Sequence, residues 1–305
     1  MPPLQPRRHL SEADRSRVTP ARLHARPSVR IPCGRFQLDY RGHPLVMGIL
    51  NVTPDSFSDG GRYARLDAAV RQAEAMADAG AALIDVGGES TRPGAPRVPE
   101  PEELVRVIPV VRRLAKRLSV PISIDTSKAE VARQALDAGA SLVNDVTALR
   151  GDPGMAGVIA QARVPVILMH MRGTPRTMQR SPRYRHVTAD VCRFLAEARH
   201  QAIAAGIPAS RVLLDPGLGF GKTVAHNLQL LRELEALVAL GAPVVVGPSR
   251  KSFIGRVLDA ELPDRLPGTL ACVVAAAAHG AHVVRVHEVK PAVDFLRMFN
   301  AIGAR

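Results

Sequence analysis

The chain has 305 residues, 46% apolar, 23% charged and only 3% aromatic, with no Trp, three Cys and a formal charge of +13. That size and apolar share suit one large α/β domain or two small ones, and the scarcity of rings excludes a protein that stacks single-stranded bases. Cys33, Cys192 and Cys272 are scattered and form no CxxC pair, which excludes a disulfide scaffold or zinc ribbon and points to a reduced, cytoplasmic setting.

Residues 1–30 hold seven Arg against Glu12 and Asp14, so +5 of the +13 lies there, among Pro2, Pro3, Pro6, Pro20 and Pro27. A disordered basic tail is expected. It has no apolar core of a secretory leader, and its acids argue against a transit peptide. No apolar run is long enough and free enough of charge to span a membrane; Ala271–Ala278 is far too short. A basic surface attracts anions in general, but the charge is read as a solvated basic face that does nothing specific, in preference to nucleic-acid binding.

From residue 31 to 305 a single domain is expected. Phe36–Pro44 reads as a small hairpin closing its base. Eight short apolar runs follow: Leu45–Asn51, Ala82–Gly87, Pro121–Asp125, Ser141–Asp145, Pro165–His170, Val212–Asp215, Pro243–Gly247 and His282–His287. Each is apolar at most positions, as strands of a parallel sheet covered on both faces should be. Helical spacing of apolar residues lies between them, over Leu66–Ala79, Glu102–Leu118, Val187–Ala205 and Val224–Leu240. Gly80, Gly139, Gly206, Gly241 and Gly280 stand where helix C-caps need glycine. Eight strands alternating with helices predict a (β/α)8 TIM barrel; the alternative is a doubly wound open sheet, disfavoured because no GxGxxG follows the first strand.

Barrel active sites form at the C-terminal ends of the strands, and here those ends are polar. In order they carry Asn51 with a long polar loop, Asp85 with Gly87–Gly94, Asp125-Thr-Ser-Lys128, Asn144-Asp145, His170, Asp215–Lys222, Ser249–Ser252 and Arg285-Val-His287. Alone, Asp125 would be read as a helix cap and His170 as a core histidine. Together, such groups at nearly every strand end converge on one pocket. Carboxylates and an amide suit a flat heterocycle with several N–H donors; Arg92, Lys251, Arg285 and His287 suit a diphosphate; Asn51 suits a magnesium ion completed by water and phosphate oxygens. The long loops after the first two strands are expected to close over substrate. Gly221-Lys222-Thr223 resembles the end of a Walker A motif, but Pro216 stands where its first glycine is required.

Met47-Gly-Ile-Leu-Asn-Val-Thr-Pro-Asp-Ser-Phe-Ser-Asp-Gly60 and Ile84-Asp-Val-Gly-Gly-Glu-Ser-Thr-Arg-Pro-Gly94 resemble the dihydropteroate synthase family, the target of sulfonamide drugs. Ser123–Thr126, Asn144-Asp145, Asp215–Lys222, Ser249–Ser252 and Arg285–His287 follow in that family's order. The resemblance implies an alkyl transfer in folate biosynthesis that joins 6-hydroxymethyl-7,8-dihydropterin diphosphate to 4-aminobenzoate. It implies that Asp125, Asn144 and Asp215 bind the pterin, that Lys251 reaches its edge, and that Asn51, Arg285 and His287 hold diphosphate and Mg2+. Thr91, Arg92 and Pro93 would close over both substrates, with Phe220 and Ser252 lining the aminobenzoate pocket. Lys251, Asp125 and Arg285 would be catalytic, and no protein nucleophile is needed. A homodimer is also implied, with Gly268–Gly280 and the final helix near Ala292–Ala301 as candidate contacts. Two other readings share these motifs in part: a pterin-binding barrel that passes a methyl group to a corrinoid protein, and a catalytically silent pterin-binding paralogue.

Overall fold

The structure is a computed structural model that describes residues 28–52, 62–92, 94–262 and 264–303. Most of the expected tail, most of the first polar loop and Pro93 lie outside the described residues.

The chain opens with an antiparallel hairpin, β1 (Val29–Cys33) and β2 (Phe36–Tyr40), with Ile31 paired to Leu38. Its first strand starts inside the stretch read as tail, and Pro44 lies beyond its second, so the hairpin expected over Phe36–Pro44 sits several residues earlier. Arg30 and Pro32 disguised the alternation that buries Ile31 and Cys33. Pro32 is tolerated because a two-stranded ribbon has outer edges without ladder partners.

Then strand and helix alternate: β3 (Leu45–Asn51), α1 (Arg62–Asp78), β4 (Leu83–Gly87), α2 (Glu100–Leu114), β5 (Ile122–Asp125), α3 (Ala129–Asp137), β6 (Leu142–Asp145), α4 (Met155–Ala162) and β7 (Val166–Met169). There follow α5 (Val187–Ala204), β8 (Val212–Asp215), α6 (Val224–Arg232), α7 (Glu235–Val238), β9 (Val245–Val246), α8 (Ser252–Leu258), α9 (Leu266–Ala278), β10 (Val283–Val286) and α10 (Val289–Gly303). β3 to β10 are parallel neighbours in the order β8-β7-β6-β5-β4-β3-β10-β9. A bridge between Leu214 and Val244 closes the ring, so the open doubly wound sheet is excluded. The helix expected over Val224–Leu240 is two pieces, α6 and α7, and the run Pro243–Gly247 contributes only two ladder residues.

Alternation along each strand sorts the side chains. Outward residues such as Ile84, Val86, Val143, Leu214, Val284 and Val286 pack against the helices in the main core. Inward residues at the N-terminal end form a second core: Met47, Leu83, Leu142, Ile167, Leu213, Val245 and Val283, covered by Ile31, Cys33 and Leu38 of the hairpin. The Cys33 thiol bonds the Ser141 carbonyl at 3.1 Å, fastening this plug to the base. On four of these strands the inward position two residues further along is polar: Asp85, Asn144, Asp215 and Arg285.

Candidate active site

The pleat has a period of two, so the residue two beyond each base-layer side chain points into the barrel mouth. Leu83 is thus followed by Asp85, Leu142 by Asn144, Leu213 by Asp215 and Val283 by Arg285. β5 adds Ser123 and Asp125.

Arg285 ties these strands together. Its Nε donates to Asp85 Oδ2 at 2.6 Å and its Nη2 to Asp125 Oδ2 at 2.7 Å. Asn144 Nδ2 donates to the same Asp85 oxygen at 3.1 Å. Asp85 is fully buried, yet its Oδ1 has no partner among the described residues, and neither has the buried Ser123 hydroxyl. A buried acceptor without a donor is costly unless a ligand supplies one. Burial pushes the Asp125 carboxyl up to about 7 against the pull of Arg285, with Asp85 adding to the rise. Burial also raises Asp215, although Gly217 N–H donates to its Oδ1 at 2.6 Å. Burial opposes the charge on Arg285, but Asp85 and Asp125 more than restore it.

A second group stands beside the acids. The Lys251 ammonium lies 4.0 Å from the centre of the Phe220 ring. Burial and then Arg285 bring its pKa down to about 8, and Asp215 and Asp125 counteract them. Asn51 Nδ2 and His287 Nε2 are 3.4 Å apart, and Ser249 Oγ lies 2.9 Å from His287 Nδ1. Burial, with Arg250 and Arg285 close by, lowers the His287 pKa to about 3, so its ring is neutral. Arg92, exposed in the loop after β4, adds a weaker push that lowers the pKa of both Lys251 and His287.

The structure therefore gathers Asp125, Asn144, Asp215, Lys251, Arg285, Phe220, Asn51, His287 and Arg92 around one mouth. Thr91 is half-buried in the same loop as Arg92, and Ser252 is an exposed residue opening α8. Asp125 is not a helix cap: the α3 N-terminus is met by Asp152, whose Oδ2 accepts from Ala129 N–H at 2.9 Å. Asp145 is a turn residue, accepting from Thr147 and Leu149 backbone N–H groups. His170 packs between Phe194 and Tyr184.

Asp85 is the residue that sequence reasoning undervalued: it noted the acid on strand two but gave it no role. The signal was its inward parity with Leu83. Also missed was the anchor of the loop after β4. Lys128 binds both Glu89 in that loop and the fully buried Glu103 of α2, and Arg106 donates to the Gly88 carbonyl at 2.8 Å.

The described residues hold no group of three His, Cys, Asp or Glu side chains that could cage a metal. Magnesium, however, is commonly held by one or two protein oxygens and completed by water and phosphate. Asn51 fits that kind of site, because its Nδ2 faces His287 and leaves the hard amide oxygen without a protein partner among the described residues.

Comparison with known proteins accords with this geometry. Residues 47–287 match the family described as pterin binding enzyme. The chain is 51% identical over 259 residues to dihydropteroate synthase of Escherichia coli strain K12, spanning 85% of this chain and 92% of that one. Dihydropteroate synthase of Xanthomonas albilineans, solved with 4-aminobenzoic acid, superposes with a TM-score of 0.86 at 49% identity, covering 92% of this chain and 100% of that one. The Yersinia pestis dihydropteroate synthase, solved as a sulfonamide drug complex, has a TM-score of 0.86 at 48% identity, covering 91% and 100%.

Proposed function

Since the chain belongs to the dihydropteroate synthase family, we propose a division of labour among its mouth residues for that family's reaction. The reaction is a transfer in folate biosynthesis. 4-Aminobenzoate displaces diphosphate from 6-hydroxymethyl-7,8-dihydropterin diphosphate to give 7,8-dihydropteroate.

The observation that carries the assignment is the buried Asp85–Arg285–Asp125–Asn144 cluster with its unpaired Asp85 Oδ1. Asp125, Asn144 and Asp215 accept the ring N–H and amino donors of the pterin, with Asp85 beneath them fixing Arg285 and Asn144. Each such bond forms in a largely dry site, where it is stronger than in water. Lys251 spans the pterin acids and Phe220, and with Phe220, Thr91, Arg92 and Ser252 it frames the aminobenzoate.

The bond from the pterin methylene carbon to the diphosphate oxygen breaks, and a bond to the arylamine nitrogen forms. The carboxylates of Asp125 and Asp215 stabilise the developing positive charge, while Arg92 and Arg285 hold the departing anion. His287, neutral in the free site, offers a ring nitrogen rather than a charge. The arylamine's proton passes to water or to diphosphate, so no side chain has to act as nucleophile. A magnesium ion held by the Asn51 amide oxygen would neutralise the leaving diphosphate.

The assignment also has a setting. Val257 and Leu258 at the end of α8, Leu262 in the segment after it, and Phe295, Met298 and Ile302 on α10 are large and exposed. Helices α8 and α10 both contact α9, and a second copy covering this face would make the homodimer. No helix among the described residues is long and apolar enough to cross a membrane. Three free thiols suit the reducing cytoplasm.

The test is diphosphate release with the pterin substrate, with and without 4-aminobenzoate, and with magnesium or excess chelator. Release that needs both 4-aminobenzoate and magnesium is expected. Release absent under all conditions would mark a silent paralogue, and full activity in chelator would remove the metal role of Asn51.

A further inference from the structure

Lys222 is a buried ammonium of the mouth that the reaction above does not use. It is 3% exposed, and no carboxylate among the described residues touches it. Its Nζ instead meets the carbonyls of Gly217 at 2.9 Å, Phe220 at 3.0 Å and His170 at 3.3 Å, and His170 Nδ1 at 2.9 Å. Burial holds the His170 ring neutral, so Nδ1 is free to accept. Three N–H groups thus serve four acceptors drawn from two loops.

The backbone around this cage permits little else. Gly217 has φ +66° and a Cβ there would stand 2.0 Å from the His170 carbonyl oxygen; Gly221 has φ +65° and its Cβ would stand 2.4 Å from that of Arg172. Such positive angles and close approaches are open to glycine alone. A loop turned this way points its carbonyls inward, where they need a common donor. Lys222 is that donor.

What the loop carries is on both sides of the reaction. Its Gly217 N–H holds Asp215 Oδ1, and its Phe220 ring lies under the Lys251 ammonium. Further ties come from Gln179 to the Gly219 carbonyl and from Tyr184 to the Gly221 carbonyl. These fix the loop's outer rim. The inner rim, which bears Gly217 and Phe220, is fixed by Lys222.

We propose that Lys222 is a positioning residue for both substrates: by gathering the Gly217, Phe220 and His170 carbonyls it aims Asp215 at the pterin and seats Phe220 against Lys251 as the aminobenzoate wall. The proposal rests on the roles given above to Asp215 and Phe220. It predicts one lesion with two binding consequences, although Lys222 is not among the residues assigned above to either substrate.

The experiment compares Lys222→Met, which keeps the length and removes the donors, with Lys222→Gln, which keeps an N–H2 donor. Pterin diphosphate affinity, KM for 4-aminobenzoate, kcat and melting temperature are measured for each. In Lys222→Met, losing the organising hydrogen bonds should weaken both substrates roughly tenfold, with a smaller change in kcat. Lys222→Gln should fall between that variant and wild type, and it carries the test if the Met variant does not fold. Leu83→Ala, a base-layer change, serves as the thermal comparator: it should melt lower with both binding constants unchanged. If the Lys222 variants also melt lower but bind both substrates as wild type does, the residue is merely structural and the proposal is overturned. Asp215→Asn and Phe220→Ala are run beside them. If these two bind normally, the site assignment itself fails; if they bind weakly and the Lys222 variants do not, only the positioning role fails.

Discussion

At the base of the barrel Leu83, Leu142, Leu213 and Val283 point inward, and two residues further along the same strands so do Asp85, Asn144, Asp215 and Arg285. The two layers share strands and register. They differ in what burial does to them. The base loses only water and gains contacts, sealed by the hairpin. The mouth loses hydration around charges and regains it only in part, through Arg285, with Asp85 Oδ1 and the Ser123 hydroxyl left over for a ligand. One step of the pleat separates a layer that stabilises the fold from one that the fold must hold in place.

The sharpest way to break that contrast is Arg285→Met. It strands Asp85 and Asp125 in the mouth, and removing one partner of a buried pair destabilises by roughly 3–5 kcal/mol. Turnover should fall on the order of a thousandfold. Urea unfolding and the diphosphate-release assay read the two effects. Unchanged stability would mean that the acids are hydrated after all. In the base layer Leu83→Ala should cost about 3 kcal/mol through the cavity it leaves, with both KM values unchanged. A shifted KM there would show that the layers are mechanically coupled.

A third effect concerns pH. The Asp125 carboxyl is raised from 3.8 to about 7, so the folded chain holds this proton more tightly than the unfolded chain. The contribution is complete below pH 3.8 and is lost as pH rises through about 7. The melting temperature of the wild type should therefore decline relative to Asp125→Asn over that window, by a few degrees for a chain of this size. Parallel curves would show that Arg285 keeps the acid ionised throughout.

The same two layers mark what the sequence could reveal. Leu45–Asn51 and Val212–Asp215 begin and end where their apolar runs do, because parallel strands buried on both faces leave polar residues only at their tips. The polar tips themselves, from Asp125 and Asn144 to Lys251 and His287, were visible for the same reason. Pairing was not. Nothing in the spacing says that Arg285 lies between Asp85 and Asp125 at the heart of the acids, since those partners come from β4 and β5, over a hundred positions away in the chain. Nor could the Lys222 cage be read, because its acceptors are backbone carbonyls turned by glycine angles. The hairpin strand Val29–Cys33 was hidden by Arg30 and Pro32, and the run from Val224 to Leu240 keeps its apolar spacing across a break at Glu233 and Leu234 that only the backbone shows.

The ring is unevenly stitched. β3 and β4 pair over five residues, whereas β9 offers two, and its union with β8 is a single bridge supported by the bond from Leu214 N–H to the Pro243 carbonyl. This is the seam of the barrel. Asp215 ends the strand on one bank, and Lys251 follows the strand on the other. Breathing along the seam would draw these two apart before any other strand pair parted, so heat would blunt the enzyme before it unfolded it. A molecule lying across the mouth would lace the banks together, and the amides of Val245 and Val246 would then exchange their hydrogens with solvent more slowly than in the empty barrel.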